Sequence, residues 1–241
     1  MTHFHFFVAT DEFLPETSVI LEGPEFHHAR DVLRIKPGES VMLINGKGSL
    51  ASGVVESIER RHCSIRLLSS ECRPPSPPIC LGVGLLRPHH LDVALEKGTE
   101  VGVDRFVLFQ ADRSERKEVS SSLRRRAEAL LIAATKQSGR LFLPQIYFAS
   151  SLAEALPLLS PPLFWADLSP DATSLYSRLM TVPHHPPLSI LIGPESGWSD
   201  KERALLSPYD PPVLLHTNVL RAETAAVVGA YMLSEHTQRA T

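Results

Sequence analysis

The 241-residue chain has a net charge of −3, 43% hydrophobic residues and three cysteines, Cys63, Cys72 and Cys80. No apolar run approaches the ~20 residues of a membrane-spanning helix, and the acidic balance argues against a nonspecific nucleic-acid binder. An odd cysteine count without C-x-x-C spacing argues against a disulfide framework or a zinc site, and fits a reducing cytoplasm.

The N-terminus, Met1-Thr-His-Phe-His-Phe-Phe, lacks a basic n-region and a small-residue cleavage site, so no signal peptide is expected. The first seventy or so residues read mostly as strands. Val41–Ile44 runs into the Asn45-Gly turn signal, and Ala51–Ile58 and Cys63–Leu68 are further strand-like runs. One helix interrupts them, with Pro24 near its start, Phe26, Ala29, Val32 and Leu33 at helical spacing, and Lys36-Pro-Gly-Glu39 as its stop. Several short strands and one helix suggest a small β-barrel. Arg73-Pro-Pro-Ser-Pro-Pro78 cannot continue a helix or a central strand, so residues 73–78 read as a stiff linker between a first domain, 1–72, and a second, 79–241.

Beyond the linker, strands alternate with helices. Ile79–Leu86 is a strand, Leu91–Val101 a helix, Arg105–Phe109 a strand, and Ser121–Ser138 a long helix stopped by Gly139. Phe142–Phe148 is a strand and Ser151 caps a helix through Leu159. Leu163–Asp167 is a strand, Asp171–Met180 a helix, and Leu188–Ile192 a strand. Ser199-Asp-Lys-Glu202 is a capping box. Pro212–Thr217 is a strand, followed by a last helix from Arg221 to about His236. Continuous apolar runs such as Ile190–Ile192 and Val213–Leu215 imply a mainly parallel sheet, and an α/β class.

Chemistry concentrates in two segments at strand ends, where an α/β fold places a ligand. Gly193-Pro-Glu-Ser-Gly197 is either a tight turn or a loop that lets a ligand approach the backbone. Asn218-Val-Leu-Arg221 leads into a helix carrying Glu223 and Thr224, then the small-residue run Ala225–Ala230. Arg221 and Glu223 read as a surface pair or, more plausibly at a strand end, as cleft residues. Between Arg113 and Arg126 lie six cations (Arg113, Arg116, Lys117, Arg124, Arg125, Arg126) against Glu115 and Glu118, either a solvated helix start or a phosphate-contacting patch. The pairs His27-His28, His89-His90 and His184-His185 tempt a metal reading, but adjacent residues point in different directions, and no metal is expected. Gly82-Val-Gly84 is followed by Arg87 where a dinucleotide fingerprint needs a third glycine, which leaves little for an oxidoreductase.

These segments resemble a known family. Leu191-Ile-Gly-Pro-Glu-Ser-Gly-Trp-Ser-x-x-Glu202 with Val219-Leu-Arg-Ala-Glu-Thr-Ala225 is similar to the ribosomal RNA small subunit methyltransferase E family, of the SPOUT class. Glu96-Lys-Gly-Thr-Glu-Val-Gly102, Asp112-Arg-Ser114, Lys136-Gln-Ser-Gly-Arg140 with Pro144, and His27-His-Ala-Arg-Asp-Val-Leu-Arg34 resemble further segments of that family, in the same order. The chain departs from the pattern at Ser196 and Trp198, where Gly and Leu are usual. It departs again at His216-Thr-Asn218, where Gly-Pro-Arg is usual.

The resemblance implies an N-terminal PUA-like β-barrel for RNA and a C-terminal SPOUT domain with a trefoil knot, although knots are rare among folds. It also implies a cytoplasmic homodimer that uses S-adenosylmethionine to methylate N3 of one uridine in 16S rRNA, within the small ribosomal subunit. Arg221 is then expected to stabilise a uracil oxygen or the adjoining phosphate, with Glu223 as general base and Glu195 as second candidate. Ile192, Gly193, Pro194, Gly197, Leu215, Val219, Leu220 and Thr224 are expected to hold the cofactor. Arg30, Arg34, Arg113, Arg124, Arg125 and Arg126 are expected to hold RNA. Rival expectations are a SPOUT enzyme acting on another RNA such as tRNA, and a catalytically silent RNA-binding assembly factor.

Overall fold

The computed structural model describes residues 5–115, 118–183, 187–209 and 211–238. The start of the N-terminal segment, Arg116 and Lys117 of the basic patch, and the pair His184-His185 lie outside the described residues. Residues 5–75 with 135–143 form one compact unit, and residues 76–134 with 144–238 another. Residues 73–78 carry neither helix nor strand.

The first unit is a five-stranded mixed sheet, curled around its own core. Its strands are β1 (His5–Phe7), β2 (Ser18–Glu22), β3 (Ser40–Ile44), β4 (Ser49–Ile58) and β5 (His62–Cys72), in the spatial order β1-β3-β4-β5-β2. β1 runs parallel to β3, and the other pairs are antiparallel. Register shifts at Ser52/Gly53 and Val55/Ser57 bend the long β4–β5 ribbon. Phe6, Leu21, Val41, Leu43, Ala51, Val55, Ile65 and Leu67 then face one core. The Asn45-Gly turn is held by Asn45 Oδ1, which accepts the N–H groups of Lys47 (2.9 Å) and Ser49 (3.0 Å).

The helix expected after Pro24 is split. α1 (Gly23–His27) passes into a π-helical segment, His28–Leu33, that ends at Arg34 in the left-handed region, φ 54°. The wider π turn rotates the apolar stripe: Phe26 and Ala29 are buried, but Val32 is 65% exposed. A second difference lies at 142–148. The isolated bridge Lys47↔Phe142 and the bond from Leu143 N–H to the Gly46 carbonyl (2.9 Å) draw Phe142 and Leu143 to the β3–β4 turn. The strand therefore begins only at Gln145.

The second unit is built on a parallel sheet. Its strands are β6 (Ile79–Gly84), β7 (Arg105–Phe109), β8 (Gln145–Ala149), β9 (Leu163–Trp165) and β11 (Leu188–Ile192), in the order β8-β7-β6-β11-β9. All four pairings are parallel. Every residue of β6 and β11 is buried, as strands covered on both faces require. The helices are α2 (Pro88–Glu100), α3 (Ser121–Ser138, followed by Gly139 at φ 71°), α4 (Leu152–Ala155), α5 (Leu175–Leu179), α6 (Asp200–Leu206) and α7 (Ala222–Gln238). α7 packs on β6, β11 and α2. Its small-residue run permits this, since a Cβ added at Gly229 would stand 2.8 Å from Ile190. Among the described residues no helix is long and apolar enough to cross a membrane.

Two expectations in this unit need correction. The helix expected over 171–180 is shortened to α5, because Thr173–Ser174 forms a two-residue strand, β10. The strand expected over 212–217 is only β12 (Val213–Leu214). It pairs with β10 and makes a single bridge, Ala166↔Val213, toward the main sheet. Pro211 and Pro212 supply no N–H for a ladder, which limits how far this apolar run can pair.

Candidate functional site

β11 lies between β6 and β9 with all three strands parallel, so their C-terminal ends open on one side. From β6 the chain brings Arg87 and His90, from β9 Ala166–Leu168, and from β11 the loop from Ile192 to Trp198. Together with Leu215, His216, Asn218–Glu223 and Ala225 at the entry to α7, these line a cavity of about 610 Å³. That is the crevice where parallel α/β sheets bind ligands, with the volume of a small-molecule site.

Packing gives the first loop its shape. Trp198 is buried, stacks on Phe109 (centroids 6.2 Å apart, planes at 5°) and donates Nε1–H to the Ala166 carbonyl at 2.8 Å. Gly193 passes so close that a Cβ there would stand 3.1 Å from the indole. Gly84 is pressed against Pro194 in the same way, at 2.9 Å. Gly197 turns at φ 68°. The loop ends in the expected capping box: Ser199 Oγ accepts from Glu202 N–H (3.1 Å) and Glu202 Oε2 from Ser199 N–H (2.9 Å). Buried Glu202 also accepts the N–H of Asp112 at 3.0 Å, and Ser199 donates to Asp112 Oδ2 at 2.5 Å, which ties this loop to the end of β7.

The polar wall is unevenly satisfied. Glu195 Oε1 accepts from Arg87 N–H (3.1 Å) and meets His90 Nδ1 at 2.9 Å. Partial burial pushes its carboxyl upward, but the bonds from His90 and the backbone outweigh it and hold the group below the usual carboxylate range. Glu223 is 9% exposed, and its Oε2 has no hydrogen-bond partner among the described residues. Arg221 is exposed at the start of α7, and its carbonyl accepts from Ala225 N–H at 2.8 Å. Asp167 is gripped by Arg203 (2.9 and 3.2 Å), and Arg87 by Glu115 (3.0 and 2.5 Å). His216 Nδ1 accepts the Asn218 N–H at 3.0 Å, so a side chain closes that turn.

The family follows from comparison with known proteins. A model described as the RNA methyltransferase domain matches residues 73–234, and one described as the RNA methyltransferase PUA domain matches residues 21–68. The ribosomal RNA small subunit methyltransferase E of Mycobacterium bovis is 31% identical over 230 residues, covering 89% of this chain and 86% of that protein. The chain belongs to the ribosomal RNA small subunit methyltransferase E family. Solved structures of similar fold include the methyltransferase E of Neisseria gonorrhoeae bound to S-adenosyl methionine, with TM-score 0.83, 21% identity and 97% and 98% of the two chains covered. Another is a putative methyltransferase of Legionella pneumophila in complex with the same cofactor, with TM-score 0.87, 22% identity and 98% of each chain covered.

In this member of the methyltransferase E family, the cavity brings together Ile192, Gly193, Pro194, Glu195, Gly197, Leu215, Val219, Leu220, Arg221 and Glu223. Thr224 is not among them: it is exposed and lines no part of the cavity, whereas Ala225 does, one residue further round the helix. Several arginines expected to meet RNA are already engaged. Arg126 forms a bidentate pair with Asp92, and Arg30 bonds Asp31 and the Arg60 carbonyl (3.1 Å). Arg124 stacks 4.3 Å above Phe148, and Arg113 reaches the Ser196 carbonyl at 3.4 Å. Arg34 and Arg125 are exposed. Sequence reasoning missed Arg87, His90 and Asp167 as cavity residues. The expected strand over Ile79–Leu86 and helix over Leu91–Val101 flank Arg87 and His90, but nothing in the spacing singled these residues out.

Proposed function

We propose that this chain transfers a methyl group from S-adenosylmethionine to N3 of one uridine in 16S rRNA. The observation that carries the reading is Glu223 Oε2, an orphaned buried acceptor in the cavity made by the two motif loops. The residues present fit the cofactor. The cavity has the volume of a nucleoside-sized ligand site. Gly193 keeps the loop low against Trp198, and Ile192, Leu215, Val219 and Leu220 offer backbone groups and apolar side chains to an adenosine. The Neisseria gonorrhoeae and Legionella pneumophila proteins of the same fold bind S-adenosyl methionine in their solved structures. When bound, the cofactor supplies a methyl group already activated on a sulfonium sulfur.

The chain's own residues position the acceptor and move one proton. Uridine N3 is a weak acid between two carbonyls, so its proton must leave as charge develops on O2 and O4. Glu223 takes that proton, and the electron pair left on N3 takes the methyl group, whose former bonding pair stays on sulfur. Arg221 offers a cation to the developing charge or to the adjoining phosphate. Proximity supplies much of the rate. The base reaches the cavity unstacked.

We assign residues 1–72 to holding RNA with Arg30 and Arg34, residues 73–78 to a linker, and 79–241, apart from 135–143 in the first compact unit, to a knotted SPOUT catalytic domain in a cytoplasmic homodimer. Arg113, Arg124, Arg125 and Arg126 meet flanking phosphates in this reading, with Arg126 doing so once it leaves Asp92. Single-turnover methylation of small-subunit rRNA tests it. Arg221→Ala is expected to lose about 10²–10³-fold in rate, the scale of a lost charge-stabilising group. A wild-type rate in that variant rejects its role.

A further inference from the structure

His90, in the first turn of α2, is not used in that mechanism. One ring nitrogen, Nδ1, lies 2.9 Å from Glu195 and 3.7 Å from Glu223 Oε2. A single N–H serves one acceptor well, and at these distances it serves Glu195. Glu195 is held ionised, so it can only accept, and the proton of this bond sits on His90 Nδ1. Glu195 Oε1 is then satisfied twice, by His90 and by the Arg87 N–H. Glu223 Oε2 is left buried against an imidazole that does not bond it, and a buried acceptor without a donor is costly until one arrives. Of the other charges around the cavity and on α2, Arg87 pairs with Glu115, Asp167 with Arg203 and Asp92 with Arg126, while Arg221 lines the cavity from the entry to α7. The trio is not a metal centre, since among the described residues no group of three or more His, Cys, Asp or Glu could hold an ion.

We propose that His90 is a positioning residue: clamped by Glu195, its ring packs beside Glu223 without taking Oε2, and so leaves that oxygen as the acceptor for an N–H of the target base. This rests on the methyltransferase reading above and deepens it. Glu195 becomes the anchor of the clamp rather than a second base. The side chains come from three separate elements: α2, the loop after β11, and α7.

The test compares wild type, His90→Ala and His90→Asn in single-turnover methylation across pH 6–9, with cofactor affinity measured by calorimetry. His90→Ala is expected to slow transfer by about 10–100-fold, the scale of a displaced catalytic group, with cofactor affinity within about threefold of wild type. His90→Asn, whose amide can donate from near the Nδ1 position, is expected to recover most of the rate. Rates within twofold of wild type in His90→Ala, or equal loss in both variants together with loss of cofactor affinity, overturn the proposal. A second readout needs no methyl transfer: long-range ¹H–¹⁵N spectra of the free protein are expected to show His90 protonated at Nδ1. A ring protonated only at Nε2 overturns the clamp. A wild-type protein that methylates no RNA but keeps the Nδ1 proton defeats the enzymatic reading and leaves the clamp standing.

Discussion

At Gly193 a single methyl group is enough to disturb the site. A Cβ there would press on Trp198 at 3.1 Å, and the indole cannot retreat, because it is buried, stacked on Phe109 and bonded to the Ala166 carbonyl. Gly193→Ala is expected to cost about 1–3 kcal/mol of stability by overpacking, and to weaken cofactor binding. Chemical denaturation and calorimetry measure the two effects, and a variant unchanged in both refutes the tight approach. Glu195 gives a pH-dependent prediction at the same scale. Its folded-state carboxyl lies below the ordinary range, so its stabilisation is present above the unfolded value and lost as pH falls through the folded one. Glu195→Gln is expected to be less stable than wild type near neutrality, with the gap closing below about pH 4. A constant gap from pH 7 to 3 contradicts this. The motif loops were legible in the sequence because glycine, proline and a capping signal cluster there. His90 was not, because its significance depends on carboxylates brought to it from two distant elements, and helical periodicity carries no trace of that.

The elements whose limits were read well end on local chemistry. α3 stops at Gly139, which adopts φ 71°, and α6 starts at a capping box. Ser199→Ala removes the cap and the bond to Asp112, and is expected to cost about 1–2 kcal/mol. A lower urea midpoint with an unchanged slope checks it; an unchanged midpoint denies the cap its role. The elements read poorly depend on partners. The run at Val213 looked like a strand of the main sheet, but prolines and the short β10 restrict it to two paired residues. Phe142 and Leu143 looked like the start of β8 but are claimed by the β3–β4 turn. Val32 fitted an α-helical stripe and is exposed because the helix widens to π geometry. Propensity could not see the first two, since β10 and the β3–β4 turn lie remote in sequence, and the spacing of apolar residues does not separate an α turn from a π turn.

For the molecule as a whole, the parallel sheet was legible in the apolar run Ile190–Ile192 of β11, while the strand order β8-β7-β6-β11-β9 was not. That order places β11 beside β6, and α7, packed on both, brings the second motif loop to the same cavity. A ligand bound there stabilises the folded chain by mass action, by about 2.7 kcal/mol at a hundredfold excess over Kd. S-adenosylmethionine is therefore expected to raise the melting temperature by about 5–10 °C, and no shift at millimolar cofactor contradicts the assigned pocket. The most direct test of the whole account is methylation of purified small subunits and of naked 16S rRNA, followed by mapping of the modified base. The account expects one N3-methylated uridine, formed by wild type and formed about 10²–10³-fold more slowly by Arg221→Ala. A methyl group on another base or RNA class, or none at all, would contradict it.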